Sequence, residues 1–109
     1  MNVYDEAHSL ATAIKDSNEF KEFDRMRLEV EKDDEISKML GDLQKLQLEV
    51  QTAQIQGEQI DPSVIGQIQS LGTMLSTKPN AAEYMKAEAA FSIMMNDVFQ
   101  IIGEAVGMH

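Results

Sequence analysis

The sequence predicts an all-α protein of about five helices, with a long antiparallel helical hairpin and a long C-terminal helix in a bundle-like arrangement. Three observations carry that prediction. Apolar residues recur at spacings of three and four, and none of the runs alternates as a strand would. The chain is rich in Glu, Gln, Lys, Leu, Met and Ala, all good helix formers, and has no tryptophan and two prolines. Short clusters of Asp, Asn, Gly and Pro interrupt the apolar runs where helices start and stop. At 109 residues the chain is expected to form one domain, 1–109.

The first helix is expected over Asn2 to Lys15, where Val3, Ala7, Leu10, Ala11 and Ile14 share one face. Asp5 and Glu6 near its start and Lys15 at its end both suit the helix dipole. Asp16-Ser17-Asn18 then breaks the pattern and offers N-cap side chains to a second helix, about Glu19 to Glu31. This helix carries Phe20, Phe23, Met26, Leu28 and Val30, with Glu22 facing Arg25 and Asp24 facing Arg27 at helical spacing. Asp33 is the expected N-cap of a third helix, Asp34 to Gln56. Its Ile36, Met39, Leu43, Leu46, Val50 and Ala53 alternate at three and four in a coiled-coil-like seam that Leu40, Leu48 and Ile55 broaden. Gly57 suits a left-handed C-cap. Asp61-Pro62 starts a fourth helix, to Ser76, carrying Val64, Ile68, Leu71 and Leu75. The short connection makes helices three and four antiparallel neighbours. A fifth helix, Ala81 to Ala105 with Asn80 as its N-cap, carries the widest apolar face.

The charge narrows the function classes. Nineteen acidic and nine basic residues leave a formal net charge of −10, which repels nucleic acid and anionic lipid. No direct nucleic-acid partner and no membrane partner are expected. The absence of cysteine excludes disulfides, thiolate nucleophiles and Cys-ligated zinc or iron–sulfur sites. No apolar run reaches the roughly 18–20 residues of a membrane span, and the acidic start, Met1 to Glu6, is unlike a signal peptide. A soluble, cytoplasmic protein is the expectation.

No residue set supports catalysis, so the chain is read as not an enzyme, with no cofactor and no metal. His8 and His109 form no metal-binding pair, and His109 is the last residue. Asp33-Asp34-Glu35 reads as an N-cap and first-turn acids rather than a cation site, because the glycine and terminal Glu of a calcium loop are missing. The serines lack a matching base, and the glycines form no phosphate loop. The eight methionines read chiefly as packing residues.

Length against shape suggests self-association. A domain of this size is about 34 Å across, and the third and fifth helices are each that long or longer. The fifth helix exceeds the stripe of about 100° that one subunit usually buries. Its Tyr84, Phe91, Met94, Met95, Val98, Phe99 and Ile102 are the candidate interface, for a homodimer or higher homo-oligomer or for another protein. Burying about 600 Å² of apolar area is worth roughly 15 kcal/mol before the cost of association is subtracted. The alternative is a module that binds a small apolar ligand in a Met-rich pocket between helices.

The order of elements resembles the YlbF/YmcA family of small helical bacterial proteins, and within it the YheA-like branch. The resemblance rests on Ala7-x-x-Leu10-Ala11-x-x-Ile14 followed by Ser17-x-Glu19-Phe20. It continues in Asp33-x-Glu35, Gln47-x-x-x-Gln51 and Gly57, and in Asn80-x-x-x-Tyr84 before the last helix. It implies an all-helical cytosolic protein that forms oligomers and acts as a regulatory assembly factor. Relatives work in the control of competence, sporulation and biofilm formation, through complexes that process RNA. Some of those complexes hold iron–sulfur clusters through cysteines, and that property does not transfer to a cysteine-free chain.

Overall fold

A computed structural model describes residues 2–107. Among them there are five α-helices and no strand. The helices are α1 (Val3–Asp16), α2 (Asn18–Glu31), α3 (Asp34–Gln56), α4 (Pro62–Ser76) and α5 (Pro79–Ala105). Met1, Met108 and His109 lie outside the described residues.

Each boundary has a local cause. Asn2 caps α1, its side-chain oxygen accepting from the Tyr4 amide at 2.7 Å. Ser17 ends α1 and begins α2: its hydroxyl donates to the Ile14 carbonyl at 2.6 Å and accepts from the Phe20 amide at 3.1 Å. Asp33 caps α3 through the Ile36 amide at 3.1 Å, and the Ser37 hydroxyl reaches back to the Val30 carbonyl at 3.1 Å. Gly57 closes α3 at φ 71°, a left-handed conformation that costs glycine little. Asp61 caps α4 by accepting from the Ser63 amide at 2.9 Å. The contact holds its carboxyl below the usual carboxylate range, because the hydrogen bond favours the charged form.

Three helix starts differ from the sequence reading: α1 begins at Val3 with Asn2 as its cap, α2 begins at Asn18, and the largest difference is at α5. α5 begins at Pro79, so Asn80 sits inside the first turn rather than capping it. The Lys78 carbonyl accepts from the Ala82 amide at 2.9 Å. Proline suits the first helical position, since its missing N–H would have no partner there and its φ is already helical.

The chain divides into two compact units. One comprises Met1–Arg27 and Tyr84–His109, the other Leu28–Glu83. In the second unit, α3 and α4 pack side by side as the expected hairpin. The core of this unit is Val30, Ile36, Met39, Leu40 and Leu43, with Leu75 and Ala81 fully enclosed. Lys78 reaches Glu35 at 3.1 Å, tying the α4–α5 connection to the start of α3. Burial fades toward the hairpin tip, where Leu46, Val50 and Ala53 are half-buried. Leu48 and Ile55 do not broaden the seam: they are 61% and 85% exposed. At 100° per residue they lie across the helix from Met39, Leu46 and Ala53.

In the first unit, α2 and α5 meet through aromatic rings. Phe23 stacks on Phe91 with centroids 5.3 Å apart and planes within 2°. Phe20 tilts onto Phe91 at 5.7 Å, and Tyr84 lies 5.7 Å from Phe23. Met26 and Ala87 are buried here as well. Glu22 pairs with Arg25 and Asp24 with Arg27 on the exposed side of α2, as their spacing predicts. Exposed pairs of this kind add little stability.

Candidate interaction surface

The first unit leaves much of its apolar surface open. α1 is strongly amphipathic in sequence, yet none of its residues is buried. Val3 and Tyr4 are about four-fifths exposed, Leu10 is exposed, and only Ile14 is half-covered. α5 changes along its length. Ala81, Tyr84 and Ala87 are buried; Phe91, Met94, Met95 and Val98 are half-buried beside an exposed Ile93; Phe99, Ile101 and Ile102 are exposed, as is Val106 just past the helix end.

The seven residues singled out on α5 therefore fall into three groups. Tyr84 and Phe91 pack within the unit, against Phe20 and Phe23 of α2. Met94, Met95 and Val98 form a half-covered middle. Phe99 and Ile102 are open to a partner, at 61% and 46% exposure. Periodicity places Tyr84, Phe91, Met94 and Val98 on one stripe with Met95, Phe99 and Ile102 beside it, but does not show that α2 covers its beginning. It also left α1 off the surface, although the spacing of Val3, Ala7, Leu10 and Ile14 held the signal.

Electrostatics agree with this division. Burial pushes the Tyr84 phenol up to about 12, and the neighbouring Glu88 carboxylate pushes the same way through its charge and a hydrogen bond. The Arg27 charge opposes them. Tyr84 is thus a neutral core donor across the physiological range. Beyond Lys86, the described part of α5 has no basic residue and three acidic ones, Glu88, Asp97 and Glu104.

Three grooves follow the α3–α4 hairpin. One of about 400 Å³ is lined by Asp42, Lys45, Leu46, Glu49, Gln67 and Leu71, among others. A second of about 480 Å³ runs past Lys45, Leu48, Thr52 and Glu58. The third, about 160 Å³, lies between Val50 and Val64 near the loop. No methionine lines any of the three. Among the described residues, no three His, Cys, Asp or Glu side chains gather where they could hold a metal ion. Among the same residues no helix is long and apolar enough to cross a membrane.

The class of protein is thus an all-α, bundle-like one whose most distinctive surface is apolar helix rather than a polar cleft. The chain belongs to the YlbF/YmcA family: the family described as control of competence regulator ComK, YlbF/YmcA matches residues 3–107. A UPF0342 protein of Caldicellulosiruptor saccharolyticus is 37% identical over 107 residues, covering 98% of this chain and 89% of the relative. Another from Desulfitobacterium hafniense is 38% identical, covering 97% of this chain and 86% of its own length. The fold matches a solved protein of unknown function (DUF964) from Bacillus stearothermophilus with a TM-score of 0.82. The two are 26% identical, over 96% of this chain and 92% of the other. It also matches Bacillus subtilis RicA, solved in complex with RicF, with a TM-score of 0.61 at 18% identity, over 96% of this chain and 93% of the other.

Proposed function

We propose that this chain is a non-enzymatic, cytoplasmic interaction protein. In this reading it acts as one domain, 1–109, and pairs with a second copy of itself through the C-terminal half of α5 and the apolar face of α1. A regulatory role of the kind named for its family is carried by the resulting homo-oligomer. The observation that carries the reading is Phe99 and Ile102, 61% and 46% exposed and one turn apart on one face of α5, with Val106 just past its end 64% exposed. A contiguous open apolar face rimmed by polar residues marks an interaction site. That RicA, a protein of like fold, was solved with another protein bound supports a protein partner in preference to a small ligand. The net charge of −10 weighs against nucleic acid and anionic membranes.

The test is sedimentation equilibrium at about 100 µM in about 0.15 M salt, where charges are screened beyond about 8 Å. A dimer or larger species is expected, and Phe99→Glu with Ile102→Glu should shift it to lower mass while preserving helix content. A clean 12.2 kDa monomer for the unaltered chain would overturn the reading.

A further inference from the structure

The outer face of α3 holds a second pattern. Gly41, Gln44, Leu48, Gln51 and Ile55 are spaced at three, four, three and four, as in a coiled-coil seam, on the side of the helix opposite the buried one. The stripe contains no charged residue. From residue 46 to 77 the chain has no Lys or Arg and only three acids, Glu49, Glu58 and Asp61. In a chain of net charge −10, an uncharged stripe lowers the repulsion between two copies along it, and loss of charge is the compositional mark of an interface core. Leu48 and Ile55 are 61% and 85% exposed, without an intramolecular role that would account for them. Beside Leu48 lies the groove of about 480 Å³, bordered by Lys45 and Thr52.

We propose that this face is a second self-association surface, on which α3 of a second copy packs antiparallel about Leu48. In that direction the large and the small end of the stripe come together. With Leu48 on Leu48 at the twofold axis, Gly41 of one copy lies level with Ile55 of the other. A Cβ at Gly41 would meet nothing within 4 Å, so there is room for the isoleucine. Gln44 lies level with Thr52, and both can donate and accept hydrogen bonds. Lys38, which pairs with Asp42 at 3.2 Å within its own helix, comes level with Glu58 just past the end of α3, so opposite charges lie at the same height at both ends of a symmetric pair. A parallel pairing would set Ile55 on Ile55 and Lys38 on Lys38, losing both complementarities.

This surface is distinct from the α5 face, and the absence of native cysteine gives a clean test. In the otherwise unaltered chain, and again with Phe99→Glu and Ile102→Glu, single-cysteine variants are treated with a short bifunctional maleimide. Leu48→Cys should cross-link to a covalent dimer at least ten times faster than Thr73→Cys, an exposed control on α4. A mixture of Gln44→Cys and Thr52→Cys, one of them enlarged by a fused tag, should give the mixed dimer well above either self-linked dimer. Persistence of these cross-links in the α5 double variant is the expected result. Linking of Leu48→Cys no faster than the control, with the parent still oligomeric, would overturn this proposal and leave the α5 reading standing. Self-linked dimers of Gln44→Cys dominating the mixture would overturn the antiparallel arrangement.

Discussion

The two units treat their apolar residues in opposite ways. In Leu28–Glu83, a helical hairpin closes on itself: Leu75 of α4 is fully enclosed, and Ile36, Met39, Leu40 and Leu43 of α3 are buried. In the other unit, α1 buries nothing, and Phe99, Ile101 and Ile102 near the end of α5 stay exposed. A five-residue loop forces α3 and α4 together, so their seams find each other inside one chain. The interior of the first unit instead depends on a few rings, Phe20, Phe23, Tyr84 and Phe91, clustered where α2 meets the start of α5. Helical periodicity alone does not distinguish a face that will be covered from one that will not.

The largest contrast should appear on truncating apolar side chains. Leu75→Ala should cost about 3 kcal/mol, lowering Tm by roughly 10 °C, because it leaves a cavity in an enclosed site. Ile102→Ala should leave the stability of the isolated subunit within about 0.5 kcal/mol while weakening association. Thermal melts at low concentration, paired with sedimentation, check both, and equal losses at the two sites would break the contrast between the units.

Next comes the aromatic cluster of the first unit. Its Tyr84 phenol ionises near 12 in the folded chain and near 10 when unfolded. The stabilisation is full below pH 10 and is lost as pH rises through 12, on the order of 2 kcal/mol in all. Tyr84→Phe should flatten denaturant midpoints between pH 10 and 12. A slope that survives this change would place the titration elsewhere.

A smaller effect belongs to the hairpin's turn. Gly57→Ala should destabilise by about 1 kcal/mol, since alanine is strained at φ 71° although nothing crowds its side chain. The change acts on the backbone, so the oligomer size should stay the same. A shift in sedimentation on this substitution would tie the hairpin turn to assembly and sharpen the surface proposed on α3. The smallest effect expected is that of chelator: protein purified in its presence should melt as untreated protein does.

Legibility in the sequence followed the range of the forces involved. Asp33, Gly57 and Asp61-Pro62 act on backbone groups within a few residues, and the helices they bound begin and end where those residues predict. Asn80 misled because two local signals competed, and the proline one residue earlier, with its helical φ, started the helix. Leu48 and Ile55 looked like an extension of the seam because a run of apolar residues was counted without its angle around the helix. Tyr84 and Phe91 belong to one wide apolar face with Phe99 and Ile102, and nothing in their spacing marks the point at which α2 stops covering it.

Helix positions, their caps, the hairpin and the acidic character that disfavours nucleic acid could therefore be read directly from the residues, since all depend on local hydrogen bonding, short loops or summed charge. Which apolar faces are shut and which stand open could not. Burial depends on whether another helix arrives at the right height and angle, and that is a property of packing between residues distant in the chain. The structure buries Ala81, Tyr84 and Ala87 of α5, leaves Phe99, Ile101 and Ile102 exposed, and places Leu48 and Ile55 on the outside of α3.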